Sequence, residues 1–386
     1  MTLTWILNID ILVLEIIWGS YITMKTKIKK ILSYATVTFA AGVALTACSG
    51  KKQGGSGNST DSAKHSIALI TDTAGVNDNS FNQSAWRGFK AYGKDHNLKR
   101  GKNGYQYFQS SSAADFEPNF DQASKAGYQT IFGIGYSLKD AVSAAAKKDP
   151  KKNFVIVDEV IKGQKNVASA NFKSEQASYL AGVAAATQTK TGVIGFIGGA
   201  HGNIIDLFDA GFTKGVNDQA KKLNKKVTLL NQYVGNFTSA DKEKAIAQSM
   251  YAKKADIIFH ASGLAGNGLF QEAKAINQNR PADKKVWVIG VDVDQSYLGN
   301  YKSKDGKKDN FVLTSVITGV NVATHDIANR AYNGKFPGGK ELVYGLKTNG
   351  VSITRGHIED KAWKYSRDAR QQIIDGEIKV PIHPSK

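Results

Sequence analysis

Cysteine occurs once in the 386 residues, at Cys48. One thiol closes no intramolecular disulfide and offers no Cys pair to a structural metal. The seven histidines are dispersed and form no HExxH motif. No G-x-S-x-G turn presents a nucleophilic serine. Gly198-Gly199-Ala200-His201-Gly202 is rich in glycine but lacks the Gly-Lys-Ser/Thr that completes a phosphate-binding loop. Together these absences argue against an enzyme. No metal and no cofactor is expected, and His201 and His260 read as structural or ligand-facing. The apolar stretch over residues 1–23 is interrupted by Asn8, Asp10 and Glu15 and is too short to span a bilayer.

What the chain does have is positive charge. Lys and Arg number 51 against 33 Asp and Glu, a net of +18. The first 47 residues hold four Lys, one Asp and one Glu, so +16 remains in the rest. The lysines form doublets such as Lys147-Lys148, Lys221-Lys222 and Lys307-Lys308 at helix ends and loops. No nucleic-acid-binding module accompanies them, and no nucleic-acid partner is expected. A basic protein at an anionic cell surface explains the balance.

The N-terminal region reads as an address. From Met24 four lysines precede an apolar segment and then small residues, the three regions of a secretory signal. Leu45-Thr46-Ala47-Cys48 resembles a bacterial lipobox, in which the Cys thiol receives a diacylglyceryl group and the chain is cut just before it. Two acyl chains suffice for stable membrane anchoring. Residues 24–47 are thus expected to be the signal and Cys48 the lipidation site. Residues 1–23 are expected to be an upstream extension, with Met24 the true start. Residues 49–64, SGKKQGGSGNSTDSAK, carry no apolar side chain larger than Ala and read as a tether. Such a tether spans about 20–24 Å root-mean-square. The body would hang on the extracytoplasmic face of the cell membrane.

From Ser66 onward short apolar runs alternate with amphipathic ones. Strands are expected at Ile67–Thr71, Tyr105–Gln109, Thr130–Ile134, Asn153–Val157, Val193–Ile197, Val227–Tyr233, Asp256–His260, Val286–Val291 and Phe311–Ile317. Many are continuous Val, Ile and Phe, the pattern of parallel strands buried on both faces. Helical patterns lie between them, for example at Gln83–His96, Gln176–Thr189 and Asp206–Leu223. This alternation predicts an α/β fold with parallel sheets. The first set of strands ends near Asp158 and a second opens at Val193, with no Pro/Ser linker between them. Two Rossmann-like lobes are expected, their strand ends lining one cleft.

Polar residues collect at those ends. Asp72, Asp78, Asn79, Ser80, Phe81 and Asn82 follow the first strand; Gly135-Tyr136, Asp158, Ser262-Gly263 and Asp292 follow later ones. Carboxylates accept hydrogen bonds from hydroxyls and amines, each worth about 1.5–3 kcal/mol when charge-assisted. Phe81 and Phe237 offer flat apolar faces, and base–aromatic stacking contributes about 1–3 kcal/mol per base. Three carboxylates would repel a phosphate. A neutral ligand with a flat ring and a polyol fits this set, and a nucleoside has both.

The same residues carry a resemblance. NDNSFNQSAWRG at 77–88, FGIGYS at 132–137, FVIVDE at 154–159, VIGFIGG at 193–199, ADIIFHASG at 255–263 and VIGVDVDQ at 288–295 resemble the basic membrane protein family. Its members are lipid-anchored substrate-binding proteins of ABC importers, and characterised ones bind purine nucleosides. The resemblance implies a type I periplasmic-binding-protein fold with a three-segment hinge. On that fold the first lobe is expected at 65–170 and 318–340 and the second at 171–317 and 341–386. It implies base contacts from Asp72, Asn82 and Phe81, with Phe237 as a second ring, and ribose contacts from Asp158, Gly263 and Asp292. The rim also supplies Asn79 and Tyr136 as candidates. Thr318 stands where the family carries Lys in a TSxxK segment, and its short hydroxyl reaches less far. The family's GGxxxP-like segment is altered here to GGAHGNIID.

The expected function is capture of a nucleoside by lobe closure and delivery to an ABC permease by a monomeric protein. A binding protein for another neutral polyol or sugar-like ligand, or a surface receptor or adhesin, remains as an alternative.

Overall fold

The computed structural model describes residues 63–384. The expected signal, the lipidation site Cys48 and residues 48–62 of the tether lie outside the described residues.

Fourteen strands are present among the described residues. Ile67–Ile70 (β1), Tyr105–Phe108 (β2), Thr130–Ile134 (β3), Asn153–Val157 (β4) and Val167–Phe172 (β5) come first. Val193–Gly198 (β6), Thr228–Tyr233 (β7), Ile257–Ala261 (β8) and Trp287–Asp292 (β9) follow. Asn300–Lys302 (β10) and Lys308–Asn310 (β11) form a small antiparallel ribbon. Val312–Thr318 (β12), Glu341–Tyr344 (β13) and Val351–Ile353 (β14) complete the set. The first sheet runs β13-β5-β4-β3-β1-β2 and is parallel throughout. The second runs β14-β12-β9-β8-β6-β7 and is parallel except for β14.

Sequence and burial agree along these strands. The central β1, β3 and β8 are buried at every residue, as continuous apolar runs require. The edge strands β2 and β7 are only partly covered. The helices that cover the sheets include Phe81–Asp95 (α1), Phe116–Ala126 (α2), Lys139–Lys148 (α3), Ser174–Gln188 (α4), Ile205–Lys222 (α5), Ala240–Ala252 (α6), Asn267–Gln278 (α7), Val320–Tyr332 (α8) and Asp360–Ile374 (α9). Helix α4 is buried nearly all round, which fits its small apolar sequence. Helix α5 lies directly on it. A Cβ on Gly211 would sit 2.1 Å from the Glu175 carbonyl oxygen, and one on Gly215 2.2 Å from that of Tyr179. Only glycine permits this approach, and it brings the start of α5 to the cleft.

Three segments cross between the sheets: Phe172 to Ser174, Thr318 to Val320, and Tyr344 to Val351. Two expectations about the lobes are corrected here. Glu341–Tyr344, expected in the second lobe, is the edge strand of the first sheet, paired with β5. Thr318, expected to open the returning first-lobe segment, is the last residue of β12 in the second sheet. The second sheet alone has one antiparallel strand. Strand β14 leaves the hinge where β12 arrives, Val351 opposite Thr318, so the two run antiparallel.

Candidate functional site

The C-terminal ends of both sheets face one cleft, the usual ligand position in open α/β sheets. β4 and β9 hold matching third places in their strand orders. Asp158 follows β4 and Asp292 ends β9, and both adopt left-handed backbone with φ of 65° and 64°. Asn79 does the same at 57°. Such conformations cost about 1–3 kcal/mol each and collect at functional sites.

The polar loop before α1 works as a unit. Asp78 caps the helix: its carboxylate accepts the N–H groups of Ser80 at 2.9 Å, Asn82 at 2.8 Å and Gln83 at 3.0 Å. Asn82 is buried, and its Nδ2 donates to Asp72 Oδ1 at 2.8 Å and to Asp78 Oδ2 at 3.0 Å. Asp72 Oδ1 also accepts the Ala74 N–H at 2.9 Å. Because Asp78 does the capping, the Ser80 hydroxyl is free to donate across the cleft to Asp292.

Between the lobes lies a cavity of about 230 Å³. Asp72, Phe81, Tyr136 and Asp158 line it from the first lobe, Phe237, Gly263 and Asp292 from the second, and Thr318 from the hinge. Two expected site residues do not reach it. Asn82 points behind the wall and holds Asp72. Asn79 turns to the second lobe, where its Oδ1 accepts the Tyr297 hydroxyl at 3.0 Å. The Phe237 ring lies on bare backbone: a Cβ on Gly199 would come within 2.3 Å of it. The Tyr136 ring meets Phe237 edge-on across the cavity, with centroids 6.3 Å apart.

Sequence reasoning missed several lining residues. Asp78, in the polar run after the first strand, lines the cavity as well. Ser174 enters with the first hinge crossing, and Ile204, Ile205 and Phe208 enter with the start of α5. Nothing in their local sequence separates them from core residues.

The electrostatics are one-sided. Asp72, Asp78, Asp158 and Asp292 line the cavity, and among the described residues no Lys or Arg does. Burial pushes Asp72 up to about 6, against the pull of its Ala74 and Asn82 hydrogen bonds. Burial likewise raises Asp292 to about 6. Asp158 lies well above the usual carboxylate range, by burial first and by the Asp292 charge second. The Thr318 hydroxyl is near enough to Asp292 to help hold its charge, yet it lies outside hydrogen-bond geometry and is still available as a donor. His260 stands behind this wall, fully buried and neutral, its pKa lowered to about 4 by burial. His201 is exposed beside Asp206 and stacked on Tyr233. The site can accept hydrogen bonds from a neutral polyol and flank a ring with phenyl faces, and it repels anions.

A family model described as ABC transporter substrate-binding protein, PnrA-like, matches residues 64–383. The chain belongs to this Bmp family. Among relatives, the ABC transporter nucleoside-binding protein BmpA of Lactococcus lactis subsp. cremoris is 47% identical over 92% of this chain and 99% of its own. The CD4+ T-cell-stimulating antigen of Listeria monocytogenes is 43% identical over 90% of this chain and 99% of its own. Basic membrane protein A of Borreliella burgdorferi is 31% identical over 88% and 92%. Among solved structures, an ABC transporter solute-binding protein from Aeropyrum pernix superposes with a TM-score of 0.70, covering 82% of this chain and 93% of its own at 21% identity. That likeness establishes the periplasmic-binding-protein-like fold. As a Bmp-family member the protein is an ABC transporter substrate-binding protein.

Proposed function

We propose that this protein captures a neutral nucleoside, a purine nucleoside first, by closing its two lobes on it and presenting the closed form to an ABC permease. One observation carries the reading. Carboxyls from both lobes, with Phe81 and Phe237, surround a single interlobe cavity in whose lining, among the described residues, there is no Lys or Arg. The name of the Lactococcus relative supports the ligand class. The base packs against Phe81 and Phe237 with Asp72 at its polar edge. Asp158, Asp292, Gly263 and Thr318 receive the ribose. Asn82 acts on the base only by holding Asp72.

The same groups supply the closing force. Asp158 and Asp292 come from opposite lobes and repel each other in the closed form. Ribose hydroxyls placed between them donate to both. Each such bond is worth about 1.5–3 kcal/mol, so ligand prefers the closed form and shifts the population toward it.

Calorimetry with inosine, guanosine, adenosine, uridine, hypoxanthine, ribose and AMP tests this. Purine nucleosides should bind tightest. Binding of ribose with no binding of any nucleoside would favour the polyol alternative instead. We further propose a diacylglyceryl anchor at Cys48 on the extracytoplasmic face, with the body a monomer. Cys48→Ser should release the protein from membranes, and retention of that variant would count against the anchor.

A further inference from the structure

Beside the cavity, but outside its lining, a second set of contacts joins the lobes. The loop Asp78–Asn82 of the first lobe meets the turn Asp292–Tyr297 of the second. Gln295 Nε2 donates to the Asn79 carbonyl oxygen at 3.0 Å. The Tyr297 hydroxyl donates to Asn79 Oδ1 at 3.0 Å.

Gln295 is 2% exposed, and its other bonds lie within the second lobe. Its Oε1 accepts the Val291 N–H at 2.8 Å and faces His260 Nε2 at 3.0 Å. Its own N–H donates to Ser315 Oγ at 3.1 Å. His260 is neutral, and its Nδ1 faces the Ser262 hydroxyl at 3.1 Å. The Val291 N–H fixes Oε1 as an acceptor, so His260 Nε2 carries the ring proton and donates to it, and Nδ1 accepts from the Ser262 hydroxyl. Both lone-pair positions of Gln295 Oε1 are then occupied by donors. The amide cannot flip without leaving two buried donors unpaired. Its NH₂ is held facing the first lobe whether or not that lobe has closed. On the other side, the left-handed backbone of Asn79 turns its carbonyl to meet it.

We propose that Gln295 is a prepositioned interlobe latch, oriented by His260 and Val291, which bonds to Asn79 only on closure and so sets how long bound ligand is retained. It is a positioning residue, since it does not line the cavity. The inference rests on the lobe-closure reading above but not on the identity of the ligand. A latch made after closure acts on opening, so it should govern release and leave capture unchanged.

The test uses two variants and inosine as the probe, followed by stopped-flow fluorescence. Gln295→Glu keeps the acceptor for Val291 and His260 and replaces the donor with an oxygen that repels the Asn79 carbonyl. Tyr297→Phe removes one hydroxyl from a side chain 46% exposed, where a folding defect is not expected. Release should quicken about tenfold or more in Gln295→Glu and about two- to tenfold in Tyr297→Phe, with association within about twofold of wild type in both. Unchanged release in both variants overturns the latch, as does a loss expressed equally in association. A wild type that takes no inosine would sink the nucleoside reading alone. Small-angle scattering of the ligand-free proteins then decides: a larger closed fraction in wild type supports the latch, and equal scattering from all three overturns it.

Discussion

Replacing Asp158 with Ala separates a binding carboxyl from a structural one. The residue is 8% exposed. Burial and the Asp292 charge both oppose its ionisation, and no hydrogen bond counters them. Truncation therefore has two consequences of opposite sign. The ligand-free protein loses an unfavourable buried group, so its thermal midpoint should hold or rise. The ligand loses an acceptor. One charge-assisted bond of about 1.5–3 kcal/mol corresponds to about 12- to 140-fold in affinity. Titration calorimetry with inosine should show at least tenfold weakening. With 2′,3′-dideoxyinosine, which lacks the donating hydroxyls, wild type and variant should differ much less. Unchanged inosine affinity would refute the assignment. Equal weakening for both ligands together with a lowered thermal midpoint would refute it as well, because that is the signature of a damaged fold.

Other outcomes follow from the same geometry. Asp72 and Asp292 hold their protons up to about pH 6 in the folded chain, against 3.8 for the ordinary group. Between these values the native state binds more protons than the unfolded one, so ligand-free stability should rise as pH falls from about 7 to about 4, by up to about 3 kcal/mol per group. Nucleoside affinity should fall below about pH 6, because hydroxyl donors favour the ionised carboxylates; thermal melts and calorimetry across pH check both signs. AMP should bind about hundredfold or more weakly than adenosine, since a like-charge pair 4 Å apart costs about 4 kcal/mol at an effective dielectric of 20; equal binding would contradict the carboxyl-lined cavity. Phe237→Ala should weaken binding by about 5- to 150-fold through lost stacking. Gly199→Val should do likewise without touching the ligand, because its Cβ would displace the Phe237 ring.

Much of the fold was legible because a parallel strand buried on both faces leaves a continuous apolar run. Ile67–Ile70, Thr130–Ile134 and Asn153–Val157 show it plainly. Strands whose sequences carry no such run are not legible this way. β5 reads VASANF, β13 ELVY and β14 VSI. β13 and β14 are short edge strands paired on one side, so their residues are under little pressure to be apolar. Which sheet each joins depends on where the hinge crossings fall, and no local pattern encodes that.

The site divides in the same way. A carboxylate at the end of a buried strand is a local event, so Asp72, Asp158 and Asp292 could be named from sequence. Their convergence needed two lobes folded against each other. The direction in which a side chain points needed more. Asn82 looked like a ligand contact, but Asp78 caps α1 in a way that turns Asn82 inward onto Asp72. Phe208 and Ile205 reach the cavity because glycines on α5 let it settle on α4. Sequence alone thus determined the α/β class, the basic surface and the carboxyl chemistry of the rim, since each depends on residues adjacent in the chain. Tertiary structure decided which of those groups share a cavity and which only brace it, because a helix's rotation and a hinge's path are set by packing between segments far apart in sequence.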